Sequence, residues 1–117
     1  MPISKITECV NFAEEQAKKF NVRAPMVGHL GDGNFHVILP YDPKEEGTYN
    51  KIRDFSDLLI EKTLELNGTI TGEHGVGLHK KAYLLKEHGD CIPLMKSIKR
   101  SIDQNNIMNP GKIFDLN

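Results

Sequence analysis

Residues 22–40 interrupt the helical period that the chain shows on either side of them. Two short apolar runs, Ala24-Pro25-Met26-Val27 and Phe35-His36-Val37-Ile38-Leu39, flank Gly31-Asp32-Gly33-Asn34. Apolar runs separated by Asp-Gly predict a β-hairpin, and Pro40 and Pro43 close it. With 117 residues there is room for one small domain and a modest core.

Residues 3–20 predict an amphipathic helix. Ile6, Val10, Ala13, Ala17 and Phe20 recur at helical spacing, with Ser4 as N-cap and Asn21 as stop. The longest helix is predicted over 43–67. Asp42 is its N-cap, Pro43 lies in the first turn, Glu45 completes a capping box and Gly68 ends it. Its inner face is Tyr49, Ile52, Phe55, Leu59, Thr63 and Leu66. Thr69-Ile70-Thr71 is β-branched and predicts a short strand. Helices are expected over 78–87, stopped by Gly89, and over 93–104, with Leu94, Ile98 and Ile102 on one side. The tail around Asn109-Pro110-Gly111-Lys112 is expected to extend or turn. This order predicts an α+β fold: an antiparallel sheet with helices packed on one side. Three strands are few for a free-standing sheet, so a partial domain is expected.

Net charge is −1, with Lys and Arg scattered among acids. No broad field favours nucleic acid or an acidic membrane, and no nucleic-acid partner is expected. No apolar run approaches the length of a membrane span, and the charged first residues lack a signal peptide's apolar segment. Cys9 and Cys91 are too far apart for a Cys-x-x-Cys motif and read as reduced thiols, hence a cytoplasmic setting.

If Asp32-Gly33 centres the turn, Leu30 opposes Phe35 and His29 opposes His36. Directly opposed residues share a face, with Cβ atoms about 4.5–5.5 Å apart. Two neutral imidazoles so placed can clamp zinc or a related divalent ion. They equally suit a packed, hydrogen-bonded pair, and a different turn length moves one histidine to the other face. Leu30, Phe35 and Val37 are expected to pack on the helices.

The second candidate is Gly72-Glu73-His74-Gly75-Val76-Gly77. Glycines let backbone approach a ligand closely. In an extended segment Glu73 and His74 point to opposite sides, so one can serve a metal and the other act as a base. The spacing is neither a P-loop nor a dinucleotide fingerprint. A helix-entry loop with an incidental polar pair fits it too. His79 and His88, among lysines, read as surface residues.

Three segments taken in order, Gly28-His29-Leu30-Gly31-Asp32-Gly33-Asn34-Phe35-His36, then Gly72–Gly77, then Asn109-Pro110-Gly111-Lys112, resemble the C-terminal region of the FAD-linked oxidases. That group contains D-lactate dehydrogenase (cytochrome), glycolate oxidase and D-2-hydroxyglutarate dehydrogenase. The likeness covers the chain from about residue 20 onward. It implies a ferredoxin-like α+β cap over a flavin, with residues 1–117 a single piece of that cap. The FAD-binding domain and the first half of the cap, which carries basic substrate contacts, would lie outside it. It also implies His29, His36 and Glu73 as metal ligands, His74 as the base and Asn109 as a flavin neighbour. The implied cofactors are FAD, held in the parent enzyme, and a divalent metal, zinc by donor type. The implied partners are the FAD-binding domain, a small 2-hydroxy acid, and a quinone or cytochrome as electron acceptor. Any contact with the inner membrane would come through the parent enzyme. Some relatives carry a polar residue where this chain has Ile38, which points away from dicarboxylates and towards lactate or glycolate. The isolated chain is expected to be inactive and free of FAD. A non-catalytic metal- or ligand-binding module accounts for the same histidines but not for the Asn109–Lys112 tail. A dimer is left open.

Overall fold

A computed structural model of the chain describes residues 1–116. They form two compact units, Met1–Thr69 and the described residues from Ile70 onward. The described residues are mostly helical, with one two-stranded antiparallel hairpin. The expected layer of helices on a broader sheet is therefore not what forms.

In the first unit, α1 spans Ile3–Phe20 and α2 spans Thr48–Glu65. Strands β1 (Met26–Val27) and β2 (His36–Val37) lie between them in sequence. The helical period of α1 puts Ile6, Cys9 and Ala13 on one stripe, and all three are buried. Opposite them, Phe55 of α2 is completely enclosed, and the Phe20 ring meets its edge at a centroid distance of 6.3 Å. Thr63 Oγ1 donates to Leu59 O at 2.8 Å and lies 3.8 Å from Cys9 Sγ. Burial pushes the Cys9 thiol up, which keeps it protonated and unreactive. Replacing Phe55 with alanine empties the centre of this helix pair. The expected loss is about 3–5 kcal/mol of stability, read as a lower urea midpoint with unchanged slope.

Helix termini differ from expectation for local reasons. Pro2, not Ser4, occupies the N-cap of α1 and makes no side-chain cap bond. Asn21 does end α1, in the left-handed region at φ 52°. The Asp42 carboxylate accepts from Lys44 N at 2.9 Å, forming a separate turn, and Gly47 at φ 83° breaks the chain before Thr48. Asp42 thus caps a turn rather than α2, and Tyr49 lies exposed at the helix start. At the other end Asn67, not Gly68, takes the left-handed position.

In the second unit, α3 spans Lys81–His88 and α4 spans Ile92–Ile102, joined by a 3-10 turn over Gly89–Cys91. Gly89 does end α3, as its C-cap, but it keeps right-handed helical angles and opens the 3-10 turn. Ile70 and Leu84 are buried. No strand forms at Thr69-Ile70-Thr71. The backbone groups that a neighbouring strand would pair are taken by side chains: Ile70 N donates to Glu87 Oε2 at 3.0 Å, and Ile70 O accepts from Lys80 Nζ at 2.8 Å.

Helix α4 ends at Ile102 because Asp103 leaves the helix and turns its carboxylate back on the tail. That carboxylate accepts from Ile107 N at 3.0 Å, from Met108 N at 2.9 Å, and from the Lys99 ammonium. The Lys99 bond, backed by the Met108 and Ile107 amides, holds the Asp103 carboxyl below its ordinary value of 3.8, against its desolvation. A depressed carboxyl contributes stability that is present above that unfolded value and is lost as pH falls through the folded value. Acid titration should therefore release the 103–108 turn only below about pH 3.8, and an Asp103→Asn chain should lack that transition when the Met108 amide is followed by NMR.

Candidate metal centre

The first unit holds His29 and His36, and the hairpin register decides how they are presented. Met26 opposes Val37, and Val27 opposes His36. The expected pairing of His29 with His36 is thus corrected: the register is displaced, and His29 lies beyond the end of β1. The cause is the connection. Asp32-Gly33 does not make a two-residue turn but belongs to a 3-10 turn over Leu30–Asp32, with Gly33 left-handed at its end. Asp32 N and Asn34 N both donate to His29 O, at 2.8 and 3.3 Å, and Gly33 N donates to Leu30 O at 3.1 Å. The terminal ammonium of Met1 adds a 2.8 Å bond to Gly33 O. At Gly28 the two arms pinch together, because a Cβ there would lie 2.4 Å from Phe35 Cα.

As a result His29 is exposed at the head of the 3-10 turn, with φ −102° and ψ 71°. His36 stays in β2 and is half-buried. Leu30, expected to point inward, is 50% exposed. Ile38 extends the ladder by donating from its N–H to Pro25 O at 2.9 Å. Two residues beyond His36, it shares that residue's face of the strand.

The second unit holds Glu73, His74 and Asn109. The loop that carries Glu73 and His74 is bent, not extended. Thr71 Oγ1 donates to Gly75 O at 3.1 Å across the turn, and Gly75 adopts φ 73°, where a side chain would be strained. The expected divergence of Glu73 and His74 fails for this reason: Glu73 Oε1 lies 3.4 Å from His74 Nε2. Both side chains are substantially exposed. A carboxylate beside an imidazole can steady a proton on the ring or share a cation with it. Beyond the loop, Lys80 N donates to Val76 O at 3.2 Å and Ile113 N to Gly77 O at 2.8 Å.

Sequence reasoning missed Lys80 and Glu87. Their spacing of two helical turns, with a β-branched segment upstream, was the available signal. His79 is exposed, and His88 lies 3.2 Å from Glu87 Oε1. Asn109 is exposed in the left-handed region at φ 48°, and its carbonyl accepts from Lys112 N at 3.2 Å.

Comparison with known proteins fits this pattern of motifs. The family model described as FAD linked oxidases, C-terminal domain, matches residues 1–113. The chain belongs to that family. It is 38% identical to a probable mitochondrial D-lactate dehydrogenase of Danio rerio, over 99% of this chain and 24% of that protein. It is 39% identical to the glycolate oxidase subunit GlcD of Bacillus subtilis, over 97% of this chain and 24% of the relative. A mitochondrial D-lactate dehydrogenase [cytochrome] of Kluyveromyces lactis is 37% identical, with 20% of its length covered. The chain therefore spans about a quarter or less of these curated relatives. Family membership accounts for the order of the three motifs. Among the described residues no helix is long and apolar enough to cross a membrane.

Proposed function

We propose that this chain is the substrate- and metal-binding part of the cap of a flavin-dependent dehydrogenase that oxidises a small 2-hydroxy acid, such as D-lactate or glycolate, to the 2-oxo acid. The observation that carries this reading is the Glu73–His74 contact on a glycine-bounded loop, within a chain matched almost end to end by the FAD-linked oxidase C-terminal family. His29, His36 and Glu73 are the proposed metal ligands and His74 the proposed base. Asn109 is the proposed flavin neighbour.

The donor set suits the metal. Imidazole nitrogen and carboxylate oxygen are the ligands of a zinc-type divalent ion, and three protein ligands leave a position for substrate. His29 and Glu73 are exposed, so their donor atoms can be reached. Asn109 offers an exposed carboxamide at the crest of a turn, which suits touching a flavin held by another domain rather than enclosing one. When bound, the metal supplies Lewis acidity at the substrate oxygen and the flavin accepts two electrons with the α-hydrogen.

The chain's own residues then have limited tasks. His74 takes the hydroxyl proton on an imidazole nitrogen as the carbonyl forms. Glu73, in contact with that ring, orients it. Ile38 places an apolar side chain on the face of β2 that carries His36, which favours a small monocarboxylate over a dicarboxylate. Helix α4 leaves Leu94, Ile98 and Ile102 exposed on one side. An apolar stripe of that kind suits packing against a further domain, here the FAD-binding domain, and would promote dimers in its absence.

The test is anaerobic mixing of a flavin enzyme carrying this domain with D-lactate, glycolate or 2-hydroxyglutarate. Bleaching of the flavin by the monocarboxylates supports the reading. An oxidised flavin with both of them, or reduction by 2-hydroxyglutarate alone, overturns it. The isolated chain should neither bind FAD nor oxidise either acid.

A further inference from the structure

The Glu73–His74 loop is short, rich in glycine and exposed, yet its entrance is held at two points by one helix. Ile70, immediately before it, is buried and has no strand beside it to pair with. Glu87 Oε2 accepts from Ile70 N at 3.0 Å, and the Lys80 ammonium donates to Ile70 O at 2.8 Å. Both grips come from the α3 segment, since Lys80 is its N-cap residue and Glu87 lies in its last turn. The Glu87 side chain is 12% exposed, so its carboxylate is largely withdrawn from water. Its other oxygen meets His88 Nε2 at 3.2 Å. Lys80 is tied to the loop a second time, through its own amide and Val76 O.

Because Ile70 is buried, its N–H and C=O need partners, and withdrawing a carboxylate and part of an ammonium from water to supply them is costly. What this arrangement achieves is fixation of the residue from which the loop departs. Thr71 and Gly75 close the turn immediately afterwards. Gly72, Glu73 and His74 lie between a clamped residue and a closed turn. Free glycine-bounded loops lose substantial entropy on ordering, and the clamp removes part of that cost before a ligand arrives.

We infer that Lys80 and Glu87 are positioning residues, which grip both backbone polar groups of Ile70 and thereby hold Glu73 and His74 in the geometry that binds metal and takes the proton. This rests on the roles proposed above for Glu73 and His74. Neither residue touches substrate, so both act through the loop. Groups that orient metal ligands by direct hydrogen bonds are worth about 10- to 100-fold in metal affinity, and the clamp acts on that orientation through the backbone of the loop.

The test uses the full 117-residue chain with zinc chloride as probe. Calorimetry reads zinc affinity, NMR reads the proximity of the His74 ring to the Glu73 side chain, and circular dichroism reads helix content. Glu87→Ala is expected to weaken zinc binding about tenfold or more and to abolish the Glu73–His74 contact with helix content preserved. Glu87→Gln should restore both, because its carboxamide oxygen still accepts from Ile70 N. Zinc affinity and ring contact unchanged in Glu87→Ala overturn the inference, as does a Glu87→Gln chain as impaired as Glu87→Ala. Where Glu87→Ala loses helix content, Lys80→Met decides by the same two readouts.

Glu73→Gln separates this inference from the reading beneath it. A wild-type chain that ignores zinc, or a Glu73→Gln chain that binds it normally, removes the metal role of Glu73. The clamp is then judged on the ring contact alone: lost in Glu87→Ala and kept in Glu87→Gln supports it, and kept in both overturns it.

Discussion

Replacing His74 with alanine in a flavin enzyme carrying this domain is expected to lower turnover about a hundred- to ten-thousand-fold, the range that a positioned general base is worth. Flavin content should not change, because His74 lies on an exposed loop and contributes nothing to the core. The loss should fall on kcat and kcat/KM together, since the ring acts as the proton leaves and not when substrate first docks. His74→Gln should do no better, because a carboxamide cannot take a proton at neutral pH. Near-normal turnover in either variant would withdraw the role. A raised KM with unchanged kcat would make His74 a binding residue instead.

The second large effect is expected at Glu73. The change Glu73→Gln preserves shape and removes the charge, so it separates ligation from packing. The side chain is about half exposed, and Glu73 is not among the buried residues of the core. Its loss as a ligand should weaken zinc binding about 100-fold or more, beyond what partners one shell further out are worth. Because Glu73 Oε1 also meets His74 Nε2, the same change should disturb the ring. Glu73 and His74 are therefore coupled, and the double variant should cost less than the sum of the single ones. Additive losses would show that the two act separately.

How much of this was legible in the sequence depended on the range of the determining interaction. The span and the stop of helix α1 were readable, though not its N-cap, because an apolar stripe and an Asn in the left-handed region are local properties. The start of α2 was not. Asp42 has the chemistry of an N-cap, and only the path of the backbone shows that it closes a turn five residues before the helix settles past Gly47. Thr69-Ile70-Thr71 has the composition of a strand, but a strand needs a partner. The long-range bonds from Glu87 and Lys80 replaced one. The hairpin itself was visible and its register was not, since a 3-10 turn and an Asp-Gly turn draw on the same residues.

The site shows the same division. The residue types and their order carried the family resemblance, and residues 1–113 match that family. Their presentation needed coordinates. His29 has left the strand, His36 has stayed in it, and Glu73 and His74 meet where an extended chain would have parted them. Of the three proposed ligands, His29 and Glu73 are exposed on turns, whereas His36 is half-buried in β2.

The most direct test of the account is the zinc content of the gently purified chain, compared with its His29→Ala, His36→Ala and Glu73→Gln variants. About one equivalent of zinc is expected in the unmodified chain, falling steeply in each variant, the ratio set by a single three-ligand site. No zinc in the unmodified chain after incubation with the metal, or undiminished zinc in the variants, would contradict it.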